Sequence, residues 1–326
     1  MTLINKLQET CIYKGNISSI YLRKNKIIKR SKINKDTEER IVQELLILNS
    51  KLSPYLLSCN EFNIYNNILE ITMPYYKNKT LDVLIQDCIK MNEEIPENVI
   101  WLYFLQLIQG IRVLHKNNII HRDLKPSNIF ITNFCNVKIG DFNSSKILQK
   151  NKNYTYTCIG TPIFMSPEVI NGKSYSYNID IWGLGCILYE CITKKQPFYS
   201  NHWGKLIVKI SLCNINPIER ENISFDLKRW CYNLLQENRP NIETIHKKTA
   251  SLSLKYGVKT DGLIINEEFS KMIKLFYNCE DILDIFKKKE VKTYLIPKEN
   301  KIESDAFVND NLLVRKCKMF NKKRKI

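Results

Sequence analysis

Residues 118–143 read NIIHRDLKPSNIFITNFCNVKIGDFN. An apolar pair leads into His121-Arg122-Asp123-Leu124-Lys125-Pro126-Ser127-Asn128, a polar loop with one proline. Two β-branched runs follow, 129–132 and 137–139, separated by an Asn/Cys turn, and together they predict a hairpin of short strands. The hairpin carries a second acid, Asp141, to the same end of the structure as Asp123 and Asn128. Two carboxylates and an amide so placed can accept a proton from a hydroxyl and hold a hard divalent cation, since Mg²⁺ favours such oxygens together with phosphate.

Working outward, further strings fall in a fixed order: VKIGDF at 137–142, CIGTPIFMSPE at 158–168 and DIWGLGCILYE at 180–190. Taken with HRDLKPSN, they resemble the eukaryotic protein kinases of serine/threonine type, and most of all the NIMA-related (Nek) group. The resemblance runs from about Gln8 to His246. It implies an α+β, bilobal protein kinase fold: a small β-rich N-lobe over residues 8–74 and a larger, mostly helical C-lobe over 81–248, with ATP in the cleft. Residues 249–326 would be a C-terminal extension. Helical spacing is expected at 267–278 and 281–292, ahead of a basic tail, NKKRKI.

Upstream of the central loop, residues 11–33 read as strands. Kinases cover the ATP phosphates with a glycine-rich loop here, but only Gly15 is present, with Tyr13 and Ser18 at the outer glycine positions. A two-residue turn at Lys24-Asn25 would pair Ile20 with Lys29. Lys29 then shares a pleat face with Ile27, where kinases usually carry a small alanine over adenine, whereas the rival Lys32 falls on the opposite face. From Asp36 to about Ser50 the spacing turns helical, with Asp36 and Glu39 as a capping box. Ile41, Leu45 and Leu48 form one stripe with Glu44 at its edge, so that Glu44 would pair Lys29. Strands at 62–65 and 68–73 flank an Asn-Asn turn. Met73 then falls at the gatekeeper position, and Pro74 and Tyr76 would offer adenine a carbonyl and an N–H. The nucleotide contacts implied by the resemblance are thus Gly15, Ile20, Ile27, Lys29, Met73, Pro74 and Tyr76.

Residues 100–116 form a long amphipathic helix leading into the central loop. Asn143 stands where kinases nearly always have glycine, and asparagine is the residue next most willing to turn left-handed. Downstream, residues 144–168 correspond to the activation segment. Thr157 occupies a position of activating phosphorylation, with Tyr154, Thr155 and Tyr156 as competing acceptors, and Arg122 is suited to grip the phosphate. The stretch from Ser144 to Gly160 contains Lys146, Lys150 and Lys152 and no Asp or Glu. Asp180, opening the helix over 177–193, would accept main-chain N–H groups of the central loop. Arg239 would pair Glu168.

The resemblance therefore implies a serine/threonine kinase. Asp123 would take the hydroxyl proton, Lys125 would face the γ-phosphate, Lys29 held by Glu44 would orient the α- and β-phosphates, and Asn128 and Asp141 would bind Mg²⁺. Lys125 and Thr161 mark Ser/Thr as acceptor. Partners would be protein substrates and an upstream activating kinase. The rival is a pseudokinase scaffold that binds a partner without catalysis, supported by the depleted glycine loop, Ile27 and Asn143.

Bulk properties agree with a globular enzyme. The 326 residues are 44% hydrophobic and 25% charged. The most apolar run, 181–192, is too short and glycine-broken to span a bilayer, and the first ten residues lack the apolar core of a secretory signal. Eleven cysteines without a CxxC pair argue against a disulfide framework or zinc site and point to a reducing cytoplasm or nucleus. The net charge of +17 accompanies abundant Lys, Asn and Ile throughout, and without an aromatic-and-basic recognition motif it does not indicate nucleic-acid binding.

Overall fold

The computed structural model describes residues 9–77, 80–132, 135–148, 162–259 and 262–263. They fall into two units, one of residues 9–52 with 56–76 and the other of 53–55 with the chain from 77 onward. The expected helices at 267–278 and 281–292 lie outside the described residues.

The first unit is a five-stranded antiparallel sheet of order β1-β2-β3-β5-β4, with one helix. Its strands are β1 (Glu9–Lys14), β2 (Ser18–Arg23), β3 (Lys26–Lys32), β4 (Glu61–Tyr65) and β5 (Ile68–Pro74). Short turns set the registers. Lys24, at φ 53°, forms the two-residue β2–β3 turn with Asn25, which places Ile20 opposite Lys29 as the turn spacing predicts. Asn66 and Asn67 both turn left-handed, at φ 45° and 60°, the pair of conformations a tight hairpin demands and asparagine tolerates. One face of β3 is carried by Ile28, 1% exposed, while Lys29 and Ser31 are buried on the other.

Helix α1 (Glu38–Ser50) buries Ile41, Glu44, Leu45, Ile47 and Leu48. Its start differs from expectation. Asp36 and Glu39 make no capping box; the helix is instead led in by Asn34, whose Oδ1 accepts from the N–H groups of Asp36 and Thr37. The Thr37 hydroxyl donates back to the Lys32 carbonyl at 2.9 Å. An asparagine two residues before the acid offers its amide oxygen to the turn and takes the acceptor role first.

The second unit is mostly helical: α2 (Leu81–Met91), α3 (Glu97–Lys116), α4 (Pro167–Ile170), α5 (Asn178–Thr193), α6 (Trp203–Ser211), α7 (Phe225–Leu234) and α8 (Ile242–Lys255). Helix α5 is buried on nearly every side, which follows from a sequence apolar around the whole helix, whereas α3 is buried along most of its length but keeps Gln109, Arg112 and Lys116 on one less buried side, as its amphipathic spacing predicts. Trp182 of α5 stacks on Phe198 at 5.2 Å and carries the Arg239 guanidinium at 5.3 Å from its ring. Arg239 also pairs Glu168 of α4, the pairing read from the sequence. Two small ribbons complete the frame around the central loop: β6 (Ile119–Ile120) pairs with β9 (Lys146–Ile147), and β7 (Ile129–Ile131) pairs with β8 (Val137–Ile139). Among the described residues no helix is long and apolar enough to cross a membrane.

Candidate active site

The polar loop 121–128 is held from beneath by a buried acid. Asp180, 1% exposed, accepts the main-chain N–H of His121 and of Arg122, each at 2.9 Å, and the Nε2–H of His115 at 2.9 Å. Burial pushes this carboxyl up, yet the hydrogen bonds it accepts from His115 and from the Arg122 N–H outweigh it and hold it below the usual carboxylate range. The His115 contact has no signature in the motif strings; the spacing of one histidine near the end of α3 could have suggested it only once α3 was known to pack on α5. Leu124 locks the loop further by resting on Gly183 of α5, where an added Cβ would meet the leucine Cβ at 2.7 Å. Arg122 takes a left-handed backbone, φ 70°. Its guanidinium donates to the carbonyls of Ser144 and Ser145 and to the Tyr175 hydroxyl.

His121, fully buried, ties the loop to the β8 end. Its Nε2–H donates to the Gly140 carbonyl at 3.0 Å, its Nδ1 accepts the Asp123 N–H at 3.3 Å, and its ring meets Phe142 edge-on at 5.5 Å. The two acceptor-only and donor-only partners fix which nitrogen bears the proton.

The functional side chains of this unit converge. Lys125 Nζ lies 2.8 Å from Asp123 Oδ2, and Asn128 Nδ2 donates to the Asp123 carbonyl at 2.8 Å and to Oδ2 at 3.1 Å. Burial raises the Asp123 carboxyl, but Lys125 and Asn128 more than offset that, so it is held ionised and acceptor-only near neutrality. Both partners of the Asn128 amide nitrogen are acceptors, so the amide must face them with its NH₂. Its Oδ1 is then the atom with which it could hold a cation. Asp141 Oδ1 accepts from the Asn143 amide at 2.7 Å. A carboxylate and an amide oxygen suit a hard cation such as Mg²⁺.

The expected left-handed turn at Asn143 does not occur there. Asp141 takes that conformation, φ 59° and ψ 71°, and Asn143 sits within a 3₁₀ turn over Phe142–Ser144. A short acid can itself bond locally and adopt αL, and doing so frees the Asn143 side chain to turn back on Asp141.

In the first unit, Lys29 Nζ donates to Glu44 Oε1 at 2.5 Å, and both side chains are buried. Lys32, the alternative, is exposed on the other face. Ile20 and Ile27 flank this lysine in the ladder, and Ile27 stands opposite Met73, which is 8% exposed. Pro74 ends β5, and burial pushes the Tyr76 phenol up to about 12. Gly15 donates its N–H to the Ser18 carbonyl at 2.9 Å, and the Tyr13 side chain lies over it, its hydroxyl 2.7 Å and its nearest ring carbon 3.0 Å from where a Cβ would be. Thr157 and Thr161, with Tyr154, Thr155 and Tyr156, lie outside the described residues.

With this geometry in place, comparison with known proteins gives its class. The protein kinase domain family matches residues 14–251. The chain belongs to that family. It is similar to the serine/threonine-protein kinase nekl-2 of Caenorhabditis elegans, 33% identical over 229 residues that cover 68% of this chain and 64% of the relative. It is also similar to serine/threonine-protein kinase Nek5 of Mus musculus, 31% identical over 247 residues, 73% of this chain and 39% of that protein. Mitogen-activated protein kinase kinase 1 of Arabidopsis thaliana is 37% identical over 219 residues, 63% of this chain and 61% of that protein. The matched stretches thus span less than two thirds of each relative's length. The resemblance to the Nek group read from the motifs stands.

Proposed function

We propose that this protein is a serine/threonine kinase that transfers the γ-phosphoryl group of ATP to Ser and Thr hydroxyls of protein substrates. The observation that carries the reading is the Asp123 carboxylate, kept charged and oriented by Lys125 at 2.8 Å and by the Asn128 amide. The acceptor hydroxyl oxygen bonds to the γ-phosphorus, the bond to the β–γ bridging oxygen breaks, and ADP leaves. Asp123 orients that hydroxyl and takes its proton. Lys125 meets the negative charge of the transferring group. Lys29, aimed by Glu44, holds the α- and β-phosphates. Asp141 and Asn128 are the residues that would hold Mg²⁺, which supplies charge neutralisation when bound. Little covalent chemistry is asked of the protein, so positioning and electrostatics supply the acceleration.

Lys125 with Thr161 selects Ser or Thr over Tyr. Arg122 with a phosphate on Thr157 is the proposed switch, set by autophosphorylation or an upstream kinase. The 144–160 stretch offers no acid of its own, and a phosphate brings roughly −1.5 to −2 charge.

The test is turnover of the purified chain with Mg²⁺, labelled ATP and a generic basic protein, followed by phosphoamino-acid analysis. Label on serine and threonine is expected. A folded protein that binds ATP and transfers nothing, before or after treatment with an activating kinase, would leave the scaffold reading in its place.

A further inference from the structure

Asn143 donates its amide N–H to Asp141 Oδ1 at 2.7 Å. A carboxylate only accepts, so the amide must present its nitrogen, and no choice between O and N is left. The backbone on either side is already pinned. Gly140 N–H donates to the Asn128 carbonyl at 2.9 Å, the Gly140 carbonyl accepts from His121, and Phe142 is fully buried. With the main chain of Asp141 fixed in its left-handed conformation, the freedom that remains is rotation of the carboxylate. The Asn143 amide restrains that rotation. It uses one of the roughly four acceptor positions of the carboxylate and leaves the others for a cation.

We propose that Asn143 is a positioning residue, one that presets the Asp141 carboxylate for a divalent cation, and this rests on the kinase reading of Asp141 given above. Fixing a ligand's orientation beforehand removes an ordering cost that would otherwise fall on the binding step. Partners that hydrogen-bond a ligating carboxylate typically change metal affinity or activity by about 10–100-fold. The replacement at this position is then an active part of the site, and the local 3₁₀ turn is the device that brings its side chain within reach of the acid two residues earlier.

The experiment is a titration of the full chain with Mn²⁺, followed by electron paramagnetic resonance in the presence of a saturating non-hydrolysable ATP analogue. Asn143→Ala is expected to weaken Mn²⁺ binding by about tenfold or more. Asn143→Ser, which keeps a short donor, is expected to fall between the two and covers the case in which the alanine variant does not fold. In turnover, the Mg²⁺ concentration for half-maximal rate should rise by a larger factor than kcat falls. Asp141→Ala serves as the reference and should remove the protein-bound Mn²⁺ signal. If it does, and both Asn143 variants bind Mn²⁺ as the wild type does, the positioning role is overturned while the kinase reading stands. If Asp141→Ala also leaves binding untouched, the metal-site reading fails and the positioning role fails with it.

Discussion

The β1–β2 hairpin and the loop 121–128 each carry expected nucleotide or substrate chemistry, yet they are built in opposite ways. In β1 every residue after Glu9 is exposed, and the hairpin is held by its ladder, with Glu9 bridging Arg23 and Arg30. The loop has almost no ladder, but His121, Leu124, Pro126 and Asn128 are buried and its main chain is bonded to a buried acid. In a ladder the main chain sets the shape, so side chains can differ: Tyr13 and Ser18 stand at the outer glycine positions without disturbing the Ser18–Ser31 contact of 2.9 Å. In the loop the polar side chains of His121, Arg122, Asp123, Lys125 and Asn128 are themselves structural bonds, and changing one removes both a fastening and a chemical group.

That contrast can be broken most directly at Asp123. Asp123→Asn should keep ATP affinity and lower phosphoryl transfer by about 10²–10⁴-fold, read as single-turnover rate beside a nucleotide-binding isotherm. A variant with wild-type turnover would remove Asp123 from the chemistry.

Next in size, Lys29→Met should cost at least ~10²-fold in kcat/KM, as expected for losing a charge aimed at phosphate, while Lys32→Met should be mild. Because losing the amine leaves a charged Glu44 buried, at about 3–5 kcal/mol, Lys29→Met/Glu44→Leu is the folding control. Reversed effects at the two lysines would shift the functional face of β3.

Asp180→Asn tests the fastening rather than the chemistry. It should lower stability at neutral pH by about 1.5–3 kcal/mol, the range for hydrogen bonds to a charged group. The wild-type carboxyl is depressed on folding, so its contribution is complete above the unfolded value of about 3.9 and is lost as pH falls through the folded one. The gap in Tm between wild type and variant should therefore close below about pH 4. A gap independent of pH would assign the stabilisation to shape alone.

Smallest of all should be Tyr13→Gly. Restoring a glycine to the exposed hairpin is expected to change KM for ATP by no more than about threefold, within the range of a glycine's conformational term. A change of tenfold or more would give the hairpin the same dependence on side chains as the loop.

Legibility followed the same division. The Lys29 register could be read because a two-residue turn leaves no slack, whereas the Asp180 and Arg239–Glu168 contacts were legible only through the kinase resemblance of the strings that carry them. The start of α1 could not, because Asn34, Asp36 and Thr37 all suit a helix entry and only the path out of β3 decides among them. Asn143 was read by backbone preference alone. Which of Asp141 and Asn143 turns left-handed depends on Phe142 being drawn into the core, a tertiary fact with no local trace.

The two main-chain bonds that Asp180 accepts have a kinetic consequence. Amide protons of an irregular loop ordinarily exchange with solvent through small local openings. Those of His121 and Arg122 end on a carboxylate belonging to α5, a helix buried along nearly its whole length. Their deuterium uptake is therefore governed by the opening of that helix's first turn, and a loop without regular structure keeps its protons on the timescale of the core.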